Sequence, residues 1–109
     1  MTKKELFNIL TQLKTESLSL SADPTKENLR TLMQENDMLF LGENFNTIYS
    51  VELCHMLKTK KNIDISLDEL NALIPETCVM LGMKFHQLIN VTDAGKLNPN
   101  ILCYSIELF

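Results

Sequence analysis

Between Ile65 and Phe85 the chain reads ISLDELNALIPETCVMLGMKF. Ser66-Leu-Asp-Glu69 is a capping box, in which the serine hydroxyl accepts from the glutamate amide and the glutamate side chain reaches back to the serine amide. Leu67, Leu70, Leu73 and Ile74 follow at helical spacing, so a helix opens at Ser66 with these residues on its buried side. Pro75 lacks the amide hydrogen that an interior helical position needs, yet it suits the first turn of a new helix. The spacing therefore predicts two short helices, Ser66 to Ile74 and Pro75 to Leu81, with Gly82 stopping the second. A helix pair broken at a proline, with strands after it, leaves few folds open.

Those strands are legible from alternation. Phe85, Ile89 and Val91 lie at spacings of two or four in KFHQLINV, and Leu102, Tyr104, Ile106 and Leu108 alternate in ILCYSIEL. Between them TDAGKLNPN is rich in turn formers, a loose hairpin connection. Upstream, the spacing of Ile48, Val51, Leu53, Cys54, Met56 and Leu57 predicts a helix from Thr47 to about Lys60, and Ile63-Asp-Ile65 reads as a small edge strand. At the start, Thr2 to Glu5 form another capping box, and Leu6, Ile9, Leu10 and Leu13 make a helical stripe reaching about Ser17, where SLSLSADP is expected to break it. Asp23 and Pro24 then predict the cap and first position of a second helix, with Leu29, Leu32, Met33 and Asn36 facing inward. The two helices are expected to pair as a hairpin sealed by Phe40 and Leu41.

From Thr47 to Phe109 the expected order is helix, short strand, helix, helix, strand, long turn, strand. This order resembles the winged helix-turn-helix superfamily. The resemblance implies an α+β fold, with an N-terminal helical hairpin over residues 1–41 and a winged-helix-like part with a small antiparallel sheet over 47–109. It also implies that Pro75 to Leu81 is a recognition helix and Asp93 to Asn100 a wing. The 109 residues, 45% of them hydrophobic, suffice for one domain with a real core.

The charge argues against the function that the resemblance implies. The net formal charge is -4. Through Lys61 acids and bases cancel; beyond it Asp64, Asp68, Glu69, Glu76, Asp93 and Glu107 face only Lys84 and Lys96. Nucleic-acid binders concentrate Lys and Arg on the contacting element, since neutralising phosphates supplies most of their affinity. Pro75 to Leu81 offers Glu76, Thr77 and Cys78 as its polar or semi-polar groups, without the Arg, Lys, Asn or Gln that read base edges. The Lys58, Lys60 and Lys61 cluster is accounted for by the negative pole of a helix end.

No catalytic signature stands out. Cys54 and His55 are adjacent, which on a helix turns them about 100° apart. Cys78, His86 and Cys103 would need to converge to hold a metal, and their spacing lacks the close pairs of zinc sites. The three cysteines are expected to be reduced, mostly buried thiols of a cytoplasmic protein. Of the six methionines, Met33, Met56 and Met80 are expected to fill core, and Met38 and Met83 to be exposed. No apolar run reaches the roughly 18 residues of a membrane span.

Two readings follow. The first is a non-enzymatic acidic protein-interaction module, an inhibitor, immunity factor, adaptor or accessory regulator without a cofactor. It would bind another protein, a basic one by charge, through Asp68, Glu69, Glu76, Val79 and Met80. The second is a dimeric winged-helix transcriptional regulator that contacts DNA through Thr77, Lys84, His86 and Lys96.

Overall fold

The computed structural model describes residues 1–89, 91–93, 95, 97 and 101–109. The fold is α+β, with two N-terminal helices leading into two more helices and a small antiparallel sheet. α1 spans Lys3–Ala22 and begins with the full capping box, Thr2 Oγ1 accepting from the Glu5 amide at 3.1 Å and Glu5 Oε1 from the Thr2 amide at 3.1 Å. It runs through the serine-rich stretch instead of stopping near Ser17. The buried stripe Leu6, Leu10, Leu13 continues as Ser17 and Leu20, and the Ser17 hydroxyl donates to the Phe45 carbonyl at 2.8 Å. A serine whose hydroxyl has a partner can occupy a core position.

α2, Lys26–Asn36, is capped by Thr25, whose hydroxyl accepts from the Asn28 amide at 3.0 Å. Asp23, the expected cap, closes α1 instead and accepts from Asn28 Nδ2 through its backbone and side chain. Pro24 therefore precedes the cap. Leu32 and Asn36 are buried, with Leu29 and Met33 half-buried beside them, as the stripe predicts.

β1, Thr47–Tyr49, occupies the segment expected to begin the third helix. α3, Ser50–Lys60, starts three residues later than Thr47. Ile48 lies opposite Ile106 in the sheet, so this short β-branched run is held by a distant partner. Ile63-Asp-Ile65, expected as an edge strand, is not one; Ile65 is buried in the core from an irregular connection.

α4 is one continuous helix, Leu67–Leu81, with Pro75 inside it. The two short helices predicted from Pro75 are thus corrected to one. Leu70, Ile74 and Cys78 form a fully buried stripe that passes behind the proline, whose own ring is half-exposed. Burying that stripe outweighs the one intrahelical hydrogen bond that proline removes. Gly82 ends the helix in the left-handed region at φ 69°, with Gly82 and Met83 amides bonding back to Val79 and Cys78. Pro75→Ala is expected to stabilise the protein by about 2 kcal/mol, the roughly 3 kcal/mol interior cost of proline less what proline removes from unfolded-chain entropy. A neutral change in urea midpoint would mark Pro75 as a first-turn residue after all.

β2, Lys84–Ile89, and β3, Ile101–Glu107, complete a sheet of order β1-β3-β2, antiparallel throughout. Tyr104, Ile106 and Leu108 are buried on its inner side, where Phe85 meets Tyr104 edge-on with ring centroids 5.9 Å apart. Of the expected wing, Asp93, Gly95 and Leu97 are described; Ala94, Lys96, Asn98, Pro99 and Asn100 lie outside the described residues.

Candidate functional site

The helical period that buries Leu70, Ile74, Thr77 and Cys78 leaves the other side of α4 to solvent. Asp68, Glu69, Ala72, Glu76, Val79 and Met80 are all exposed there. Val79 is 70% exposed and Met80 61%, which corrects the expectation that Met80 fills core. The residues of the first reading thus share one helix surface over about three and a half turns. Asp68 and Glu69 have a local cause as well, since carboxylates in a first turn are favoured by the helix dipole, and Ser66 Oγ accepts from the Glu69 amide at 3.1 Å. Glu76 and Val79 have no such explanation.

One cation reaches this surface among the described ion pairs. Lys3 of α1 bonds Glu76 at 2.5 Å, both side chains about half-exposed, a pairing of small energetic weight in water. α1 packs against α4 without covering its acidic face. Asp68 and Ala72 also wall a depression of about 510 Å³ whose far side is Ile101 and Tyr104 of β3, so the surface continues onto the sheet.

Of the residues of the second reading, Lys96 lies outside the described ones, and Thr77 is separated from Lys84 and His86. Thr77 is fully buried with its hydroxyl donating to the Leu73 carbonyl at 2.7 Å, so it reaches no base. Lys84 and His86 are exposed on β2, where Lys84 lies opposite Glu107 and His86 Nε2 is 3.6 Å from the Glu107 carboxylate. That acid competes with a phosphate for both. Lys58, Lys60 and Lys61 are exposed at the end of α3.

Cys78, His86 and Cys103 do not converge. Cys78 is buried beneath α4, whereas the alternation of β3 puts Cys103 on the face opposite Tyr104, and His86 pairs with Ser105 on that same outer face. Burial pushes the Cys78 thiol up to about 11 and raises Cys103 as well. Cys54 is raised by desolvation, and its Sγ lies 3.3 Å from the Ile65 carbonyl, so it is a poor nucleophile.

His55 turns away from Cys54 toward Asp37, a partner the sequence did not suggest. Asp37 Oδ2 lies 2.8 Å from His55 Nε2 and accepts from the Thr59 hydroxyl at 2.9 Å, clamping the end of α2 to α3. Asp37 holds a left-handed φ of 49°, a conformation that aspartate tolerates better than most residues. The Thr59 hydrogen bond lowers the Asp37 carboxyl; desolvation opposes it, and His55 and Lys60 add to the lowering. A carboxyl lowered in the folded state stabilises above its unfolded value, ordinarily 3.8, and that contribution is lost as pH falls through the folded value. Asp37→Ala is therefore expected to show a smaller drop in urea midpoint between about pH 6 and about pH 3 than the unsubstituted protein. An equal drop would show that the clamp has no linkage to folding.

The clamp closes one end of an open groove between α2 and α3 of about 590 Å³, lined by Leu29, Met33, Met38 and Leu39 with Lys26 and Arg30 on its α2 side. Met38 and Met83, expected to be exposed, are both buried. Among the described residues no helix is long and apolar enough to cross a membrane. Comparison of the chain with family models, with curated proteins and with solved structures finds no match.

Proposed function

We propose that this chain is a non-enzymatic interaction module of winged-helix type that docks on a basic protein through the exposed face of α4, as an inhibitor, immunity factor, adaptor or accessory regulator. The carrying observation is the composition of that face. Asp68, Glu69, Glu76, Val79 and Met80 are solvent-facing on one helix, which bears no Lys, Arg or His. Aligned carboxylates steer a cationic surface toward the helix, and exposed Val79 and Met80 supply the apolar area that a lasting contact needs.

The winged-helix assignment gains support from a shift of one element. Helix, short strand, helix, helix, strand, turn, strand is the order of α2, β1, α3, α4, β2, the connection and β3. On this assignment α4 is the second helix of the helix-turn-helix, and α1 is the addition.

Charge reversal tests the reading. Asp68→Lys, Glu69→Lys and Glu76→Lys together are expected to remove the proteins captured on the unsubstituted chain from the native lysate, and added salt to slow their association. An unchanged set of captured proteins would sink the acidic-face reading. The alternative, a dimeric DNA regulator, predicts duplex binding that steepens as salt is lowered. If the unsubstituted chain binds duplex at low salt and the triple reversal tightens that binding only by a uniform factor, the DNA reading replaces this one.

A further inference from the structure

We infer that β2 is a dimerisation edge, which pairs antiparallel with β2 of a second copy of this chain through the backbone groups of Phe85, Gln87 and Ile89. The inference is independent of the role proposed for α4.

β2 is an outer strand of the sheet, with β3 on one side and no described residue paired with it on the other. The direction of its backbone groups follows from that of β3. The Tyr104 amide donates to Ser50 Oγ and the Leu108 amide to the Asn46 carbonyl, both on the β1 side of β3. Alternation gives Ile106 the same direction, toward Ile48 of β1. Gln87 lies opposite Tyr104 and Phe85 opposite Ile106, so neither pair is joined by hydrogen bonds between β2 and β3. Phe85 and Gln87 therefore turn their N–H and C=O groups to the open side, and alternation adds those of Ile89.

This edge is accessible and unguarded. Gln87 lies on the helix side of the sheet and is nevertheless exposed, so the helices stop short of it. Edge strands are commonly blunted by a proline, a lysine or an inward charge; between Phe85 and Ile89 there is none of these, and Leu88 is 38% exposed. The register shift at Leu88 and Ile89 puts the additional residue, Leu102, in β3, so β2 keeps its own alternation.

The edge also matches itself. A twofold axis normal to the sheet keeps each face continuous and pairs residues that point the same way. Centred on Gln87, it sets Gln87 against Gln87 and Phe85 against Ile89 of the second copy, and every outward N–H and C=O of the three residues finds a partner. The half-buried Phe85 and Ile89 gain apolar neighbours on the helix side, and His86 meets Leu88 on the other. Centred on His86, the axis would leave Ile89 without a partner and set two imidazoles against each other. The Gln87 register places no charged pair across the contact, so association is expected to be insensitive to salt.

Light scattering and amide hydrogen exchange of the full chain over a range of concentrations test the inference. The mass is expected to rise from the 12.5 kDa monomer toward twice that value, and exchange at the Phe85 and Gln87 amides to slow as it does, while the His86 amide is protected at every concentration. Gln87→Pro removes an N–H that the internal ladder does not use, so the variant is expected to fold and to associate at least about tenfold more weakly, having lost the Gln87 amide bond of each copy. Gln87→Lys, at an exposed position, sets like charges on the axis and is expected to weaken association at low salt and to recover as salt is added. Circular dichroism melts identify which variants fold. A chain that stays monomeric at every concentration, Phe85 and Gln87 amides already protected in the monomer, or association that the folded variants leave unchanged would each overturn the inference.

Discussion

Replacing Phe40 with alanine is expected to lower the unfolding free energy by about 3–5 kcal/mol, the usual cost of emptying an aromatic-sized space in a packed interior. Phe40 is fully buried, although it belongs to the irregular segment between α2 and β1. It belongs to the core cluster that draws residues from α1 through to β3, and a close-packed interior relaxes only partly into such a gap. Leu41 provides the control. Its backbone bridges Thr47 through two hydrogen bonds of 2.8 and 2.9 Å, but its side chain is 36% exposed. Leu41→Ala is therefore expected to cost under about 1 kcal/mol. Against a total of roughly 5–15 kcal/mol for a domain of this kind, the first substitution brings the protein close to unfolding and the second does not. Urea titration of both settles it, and equal midpoints would remove Phe40 from the core argument.

What the sequence made legible was local. Thr2 with Glu5, Ser66 with Glu69, and Gly82 each state a helix boundary through a hydrogen bond that spans at most four residues, and each boundary is found where it was expected, with the full capping box at Thr2 and its serine half at Ser66. The failures share a non-local cause. Ile48 fits either a helix or a strand until Ile106 pairs with it, and Pro75 ends a helix only if no continuous apolar stripe crosses behind it. Ser17 and Thr77 look polar in sequence and are buried, because one hydroxyl finds the Phe45 carbonyl and the other the Leu73 carbonyl.

The candidate site follows the same division. The exposed positions within each half of α4 were readable from helical period, but their alignment across Pro75 was not, because period relates positions only along one unbroken helix. The groove between α2 and α3 was not, because its width and its Asp37 clamp depend on how two separate helices are set against each other. Fusing the two predicted helices changes the electrostatic argument as well. Asp68 and Glu69, which had belonged to a preceding helix, now share an axis with Val79 and Met80, so acids and apolar side chains are exposed on one helix.

Ser50→Ala is expected to be nearly as damaging as the loss of Phe40, for the removal of one oxygen atom. β1 ends at Tyr49, opposite Ser105, and the chain turns at once into α3. That turn withdraws the backbone carbonyl that would have continued the ladder. The Ser50 hydroxyl takes its place, accepting from the Tyr104 amide at 2.8 Å and donating to Asn71 Oδ1 of α4 at 2.8 Å. Ser50 is fully buried and Asn71 nearly so, which keeps water from substituting for the hydroxyl. Alanine leaves two buried groups unpaired, at about 1–3 kcal/mol for each. Asn71→Ala costs less, since Ser50 still accepts from Tyr104. The double substitution is expected to be less destabilising than the sum of the two, because each single change already breaks the contact between them. Hydrogen exchange at the Tyr104 amide gives an independent reading, and faster exchange is expected in Ser50→Ala than in Asn71→Ala. Additive energies and equal exchange rates would mean that the hydroxyl does not join strand to helix, and that the start of α3 is held by its apolar contacts alone.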